Sequence, residues 1–286
     1  MFSMAVRKGG KLNHLERTLP EGLLVDAGWL SRQGYSRSLL SQYVAAGWLE
    51  QPARGVYRRP RGMIGWQQAI ISLQTLLDAA PVVVGGRTAL ELQGYAHYVA
   101  QSVKQVHLYG TKRPPGWLFK LPLDVEFVFH ASQSLFTTGL TDMTPPVDHA
   151  DAVTKTELHN RISGEGIMSQ SWGQWDWPLV FSAPERAVLE LLDELPAHDS
   201  FHQVDMLFEG LSNLSPRRLM ALLVDCRSVK VKRLFFFFAA RHNHPWFKHI
   251  DRTKIDLGSG KRVLVKGGRL DPATLITVPE DMNGLL

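Results

Sequence analysis

Apolar residues recur at three- and four-residue intervals from the start of the chain. Leu12, Leu15 and Leu19 fall on one face of a short helix that stops before Pro20. Leu23, Leu24, Ala27 and Leu30 make a second such set, with Pro20 suited to an early helical position, and predict a helix reaching about Arg32. Gly34 supplies a turn. Ser36 is a good N-cap for a third helix, whose apolar stripe is Leu39, Leu40, Tyr43 and Val44 and which Gly47 closes. Two short β-compatible runs, Trp48 to Gln51 and Gly55 to Arg58, then flank Pro52-Ala53-Arg54. They predict a hairpin whose Trp48, Leu49, Val56 and Tyr57 pack back onto the helices.

Beyond Gly62 the pattern changes. Ile64 to Ala79 has helical periodicity through Ala69, Ile70, Leu73, Leu76 and Leu77. Val82 to Val84 predicts a short buried strand, followed by Gly85-Gly86 and a helix from about Thr88 to Leu92. Strand-like runs occupy Val103 to Leu108, Trp117 to Leu121 and Val125 to Phe129, and helices are expected at Ser182 to Leu195, Phe201 to Leu211 and Ser215 to Val224. Ser182 and Glu185 have capping-box spacing with Pro184 in the first turn, Phe235 to Phe238 reads as buried helix, and Lys261 to Val265 as a late hairpin strand. The order is mixed rather than a regular βαβ alternation. The expected class is therefore α+β, with a winged helix-turn-helix at residues 1–62 and a larger mixed α/β domain at 63–286.

Charge sharpens the division. The chain of 286 residues carries a net +5, yet residues 1–61 hold ten Lys/Arg against four acids, so the remainder is close to neutral. A basic segment on a neutral body points to nucleic acid, because phosphate neutralisation dominates non-specific affinity. In a helix-turn-helix the second helix presents its N-terminal side chains to base edges, and Arg suits guanine as Gln suits adenine. The expected DNA contacts are Ser36, Arg37, Ser38, Ser41 and Gln42 on the third helix, with Arg54, Arg58, Arg59 and Arg61 from the wing clamping the backbone. The single cysteine, Cys226, excludes a disulfide framework and a cysteine-based zinc site. No apolar run reaches signal-peptide or membrane-spanning length, which predicts a cytoplasmic protein without a membrane partner.

Candidate chemistry outside the basic module is sparse. Gly85-Gly86 with Arg87 could cradle phosphate at a helix start, but the spacing is neither Walker nor dinucleotide, and a tight structural turn is the simpler reading. His242, His244, His249 and Asp251 read as a polar helix end rather than a metal site. Arg241, Lys248, Arg252 and Lys254 in the same stretch suggest a basic partner surface. Trp172, Trp175 and Trp177 suit edge-strand packing better than stacking on a partner. No nucleophile elbow, carboxylate pair or kinase signature is present, so no enzymatic activity, catalytic residue, metal or cofactor is expected.

Leu30 to Pro60, with GYSRSLLSQYVAAGWLEQPARGVYRRP inside it, resembles the N-terminal winged helix of AbiEi-like antitoxins from abortive-infection, type IV toxin–antitoxin pairs. Val82 to His97, VVVGGRTALELQGYAH, and the tail from Phe235 to Val265 resemble that family's C-terminal antitoxin domain. The resemblance implies an autorepressor that binds inverted repeats in its own promoter as double-stranded DNA, and a C-terminal domain that counters a co-encoded nucleotidyltransferase-like toxin. It carries the reading helix onto Ser36 to Ala46, but it marks no compact antitoxic motif. Two other readings stand beside it: a winged-helix regulator whose C-terminal domain senses a small ligand, and a nucleotide-handling enzyme tethered to DNA.

Overall fold

A computed structural model of the chain describes residues 8–77, 80–95, 103–140 and 166–282. The expected end of the helix at residues 78–79 and the close of the matched phrase at residues 96–97 lie outside the described residues.

The chain opens with α1 (Lys8–Thr18), whose Leu15 is buried together with the following Leu19. The next apolar set departs from expectation. Leu24–Asp26 is a strand, β1, and helix α2 (Ala27–Arg32) begins only after it, capped by Asp26, whose Oδ1 accepts from Trp29 N at 2.7 Å. Helical spacing was real on both sides of Asp26. Leu24, Val25 and Asp26 are nonetheless extended because they pair antiparallel with Arg58, Tyr57 and Val56, a non-local contact that overrides local propensity. Helix α3 (Arg37–Ala45) follows, then the hairpin of β2 (Glu50–Ala53) and β3 (Val56–Arg58). The small sheet has the order β1-β3-β2. Helix, strand, helix, helix and two-stranded wing is the winged-helix arrangement.

Helix α4 (Trp66–Thr75) joins the two parts of the chain. Its buried Ser72 Oγ accepts from Leu24 N at 2.8 Å, and its Gln74 reaches the large sheet, where Nε2 donates to Val82 O and Val180 O and Oε1 accepts from Val180 N. That sheet contains β4 (Val82–Val84), β5 (Gln105–Gly110), β6 (Glu126–Ala131), β7 (Ile167–Trp172) and β8 (Trp177–Ser182) in the order β6-β5-β4-β8-β7. β4 pairs parallel with β8 only at Val84 and Phe181. Where the two strands part, Gln74 stands in for the ladder at Val82 O, Val180 O and Val180 N. The core is continuous from Leu15 and Leu30 through α4 to Phe181 and Val188.

Helices α5 (Gly86–Leu92), α6 (Ser132–Leu135), α7 (Pro184–Asp193), α8 (Phe201–Gly210), α9 (Pro216–Asp225) and α10 (Val229–His242) complete the larger part, with a short hairpin of β9 (Arg269–Asp271) and β10 (Ile276–Val278). Phe235 to Phe238 are all buried within α10, as expected. Three expectations fail. Trp117 to Leu121 is a 3-10 turn at Leu118–Lys120, because Pro114-Pro115-Gly116 bends the chain into it. The late hairpin is β9 and β10, whereas Lys261 to Val265 contributes only an isolated bridge from Arg262 to Ile276. The capping box at Ser182 does not form. Ser182 ends β8, Ala183 is the N-cap of α7, and Ser182 Oγ donates instead to Glu190 at 3.1 Å.

The glycine pair also has its explanation in packing. Gly86 N donates to Glu190 Oε2 at 3.0 Å, so the start of α5 already holds an anion, supplied by α7. Arg87 is committed to Asp199. The nucleotide cradle is therefore filled by the protein's own side chains. A Cβ on Gly85 would collide with Glu190 Oε2 and the Tyr109 ring. Gly85→Ala is expected to destabilise the protein by about 1–3 kcal/mol, as overpacking of a dense interior does, and urea unfolding measures the loss. No helix of the described residues is long and apolar enough to cross a membrane.

Candidate nucleic-acid interface

The segment from Gly34 to Gly47 folds as its local chemistry dictates. Gly34 takes φ +81°, which lets the chain turn out of α2, and Lys11 Nζ on α1 donates to its carbonyl at 2.9 Å. Ser36 is the N-cap of α3, with Oγ accepting from Leu39 N at 3.3 Å. Gly47, at φ +73°, ends the helix and allows Trp48 N to reach Tyr43 O at 2.9 Å.

Within α3, Leu40 and Tyr43 are buried and Leu39 and Val44 half-buried, which turns the opposite face outward. Ser36, Arg37, Ser38, Ser41 and Gln42 are all exposed. Ser41 Oγ donates back to Arg37 O and Ser36 Oγ bonds Ser38 Oγ, so the three hydroxyls of the row are engaged within the helix start itself. The structure brings these five residues together as one polar strip. Arg54 stands exposed at the turn between β2 and β3, beside Gly55 at φ +77°.

The other wing arginines depart from the expected clamp. Arg58 sits opposite Glu50 in the β2–β3 ladder and is only 9 % exposed. Its Nε and Nη2 bond Glu50 Oε2 at 2.7 and 2.6 Å, and Nη1 donates to Gly62 O at 2.8 Å. A guanidinium used on three sides inside the protein has no face left for a phosphate. Arg59 is paired with Glu21 at 3.0 Å and is half-buried, whereas Arg61 shares the same carboxylate from an exposed position. Trp48, expected to pack inward, is 50 % exposed, while Leu49 and Val56 are buried.

The basic stretch near the C-terminus is dispersed rather than convergent. Arg241 Nε donates to both oxygens of Asp205 at 2.9 Å, and His242 Nε2 lies 2.7 Å from Asp205 Oδ1. Burial works against that carboxylate, but the hydrogen bonds from His242 and Arg241 outweigh it and hold Asp205 below its usual range. Arg252 stacks over Phe236 at 5.2 Å and donates to Ala273 O, Lys254 pairs with Asp251 at 3.3 Å, and Lys248 is exposed. His244 Nε2 contacts Phe208 O at 2.7 Å. His242 and His244 are thus engaged in packing the end of α10 onto α8, and His249 is exposed away from them. Trp172 and Trp177 face each other across the β7–β8 hairpin, and Trp175 projects from its turn, 55 % exposed.

A constellation the sequence reading missed lies on the large sheet. His107, Tyr109 and His130 share one face of β5 and β6, where Tyr109 is in register with His130. His107 Nδ1 and His130 Nε2 are 3.1 Å apart, and His130 Nδ1 is 3.0 Å from Glu194 Oε1, just past the end of α7. Tyr109 stacks on His130 and donates to Glu190 O at 3.2 Å. Burial, reinforced by Arg87 and His198, pulls His107 down to about 4, and burial with His107 close by does the same to His130. Burial pushes Glu194 up to about 6. At neutral pH the His130–Glu194 contact is therefore a hydrogen bond from a neutral imidazole rather than an ion pair.

Comparison with known proteins finds one family at both ends of the chain. Residues 8–101 match the family described as transcriptional regulator, AbiEi antitoxin N-terminal domain, and residues 175–279 match the family described as transcriptional regulator, AbiEi antitoxin, type IV TA system. No curated protein matches the chain. The crystal structure of RV2827C protein from Mycobacterium tuberculosis is similar over 93 % of this chain and 89 % of that one, with a TM-score of 0.54 and 15 % identity, a likeness of fold. Carrying the antitoxin models at both ends, the chain belongs to the AbiEi antitoxin family of transcriptional regulators from type IV toxin–antitoxin systems.

Proposed function

We propose that this antitoxin represses its own operon by seating α3 in the major groove of inverted-repeat half-sites in its promoter. The observation that carries the reading is the exposed strip Ser36, Arg37, Ser38, Ser41 and Gln42, aligned along a capped helix whose other face is buried. Arg37, Ser38, Ser41 and Gln42 read or approach bases, the start of α3 at Ser36 faces phosphate, and Arg54 touches the adjacent backbone from the wing. Arg59 and Arg61 shape the local field while bound to Glu21, and Arg58 braces the wing. Residues 63–286 counter a co-encoded nucleotidyltransferase-like toxin in the cytoplasm, without catalysis of their own, and the exposed Lys248 offers such a partner a cation.

The test uses the whole chain. Binding to its own promoter is expected to weaken steeply as salt rises, since each neutralised phosphate releases condensed counterions, and footprinting is expected to protect two half-sites. Equal affinity for promoter and unrelated DNA would refute operator recognition. Co-expression with the neighbouring gene product separates the two roles. A variant carrying Arg37→Ala and Arg54→Ala is expected to lose promoter binding yet still rescue growth, and loss of rescue in that folded variant would overturn the division of labour.

A further inference from the structure

We infer that His107 and His130 form a binding site for a divalent transition metal of zinc type, held between Nδ1 of the first and Nε2 of the second, with Glu194 positioning His130. The separation is the first ground. Two imidazole nitrogens on one tetrahedral zinc, each at about 2.0–2.1 Å, stand roughly 3.3 Å apart, and these two stand 3.1 Å apart. The donor atoms of His107, His130 and Glu194 all lie within 4.8 Å of one another.

The tautomer is the second ground. Glu194 Oε1 accepts from Nδ1–H of His130 at 3.0 Å, which leaves the lone pair of His130 on Nε2, aimed at His107. A carboxylate on the far nitrogen of a ligating histidine is the usual outer support of a zinc site, fixing ring orientation and raising basicity. Without a cation, one hydrogen on His107 Nδ1 bridges the two rings. Binding would move that hydrogen to Nε2 of His107 and free the two facing nitrogens for a metal seated to one side of the line between them, so no net proton is gained or lost by the pair.

The surroundings are the third ground. His107 is 6 % exposed, and the rings are nearly parallel, with Tyr109 stacked on His130 at 4.6 Å, so the rotamers are set by packing before any cation arrives. His130 keeps a partly exposed edge, 18 % for its side chain, which leaves the remaining coordination positions to water and gives the ion a way in. The site would tie the parallel strands β5 and β6 to the end of α7. It lies apart from His242 and His244, the histidine pair that sequence spacing makes conspicuous, which are spent on Asp205 and Phe208.

The full-length protein, stripped of metal by chelation, is titrated with zinc against a chromophoric chelator and separately with cobalt(II), whose visible bands report ligand geometry. One equivalent is expected to bind, with a d–d spectrum of tetrahedral intensity. His107→Asn and His130→Asn are each expected to abolish that spectrum, and Glu194→Gln to weaken zinc about 10–100-fold, as loss of an outer-shell partner does. His242→Asn serves as the control and is expected to change nothing. Absence of stoichiometric binding to the wild-type chain, which needs no variant to fold, would overturn the inference. So would binding that survives both substitutions or is lost with His242→Asn.

Discussion

Replacing Arg37 and Arg54 together by alanine is expected to lower affinity for the promoter by about 100-fold, since each base or phosphate contact contributes about 1–3 kcal/mol. Thermal unfolding should not change, because both side chains are exposed. Arg37 stands in the first turn of α3, where a helix entering the major groove brings side chains to base edges, so its loss should relax sequence preference as well as weaken binding. Arg54 is at the wing tip and should act on phosphate, so its loss should lower the salt slope by about one and weaken all sequences alike. Arg58→Ala should behave in the opposite way. It removes a brace bonded to Glu50 and Gly62 O, and since Glu50 is half open to solvent the expected cost is about 1–2 kcal/mol of stability. Its promoter affinity should fall only as far as the wing loosens. Titrations of the three variants at several salt concentrations, beside urea unfolding, check this. Unchanged binding in the double variant would remove α3 and the wing tip from the interface.

The contrast between Arg54 and Arg58 shows what was legible in the sequence. Local chemistry decides α3: a serine cap, an apolar stripe and two glycines at positive φ act between Gly34 and Gly47, and the helix lies where they place it. Charge alone cannot separate a cation that faces DNA from one that closes a salt bridge, since that depends on the ladder register that sets Glu50 against Arg58. β1 was missed for a related reason. Leu24 and Val25 fit a helical face, and only pairing with a strand some thirty residues later makes them extended. The His107, His130 and Glu194 group carries no spacing signal at all. Parallel pairing of β5 with β6 and the packing of α7 bring it together, while the His242 and His244 pair, close in sequence, turns out to be structural.

The larger part of the chain carries one buried carboxylate where three elements meet, and Glu190→Ala is expected to cost about 3–5 kcal/mol, the range for breaking a buried ion pair from one side. Glu190 is fully buried on α7. It accepts from Arg186 Nε at 2.9 Å, Gly86 N at 3.0 Å and Ser182 Oγ at 3.1 Å, while its own carbonyl receives Tyr109 OH. One side chain thus joins α7 to the start of α5 and the end of β8. Burial raises the carboxyl against the pull of Arg186 and the hydrogen bonds, which offset only part of the desolvation cost. Alanine removes the anion from beside a guanidinium that is 2 % exposed and lies over the Phe136 ring at 4.4 Å, and it strips Gly86 N and Ser182 Oγ of their acceptor. Folded domains have only about 5–15 kcal/mol in hand, so this variant should lie near the limit of folding. Glu190→Gln keeps the shape and one acceptor oxygen and should cost about 1.5–3 kcal/mol, the worth of hydrogen bonds to a charged group. If the loss in Glu190→Ala comes from removing the anion beside Arg186, then Arg186→Met with Glu190→Leu should recover much of it, since a well-packed apolar pair can replace a buried ion pair at little cost. Urea unfolding of the four proteins decides the point: a cost below about 1 kcal/mol for Glu190→Ala would mean that α5, α7 and β8 are held by their apolar contacts alone.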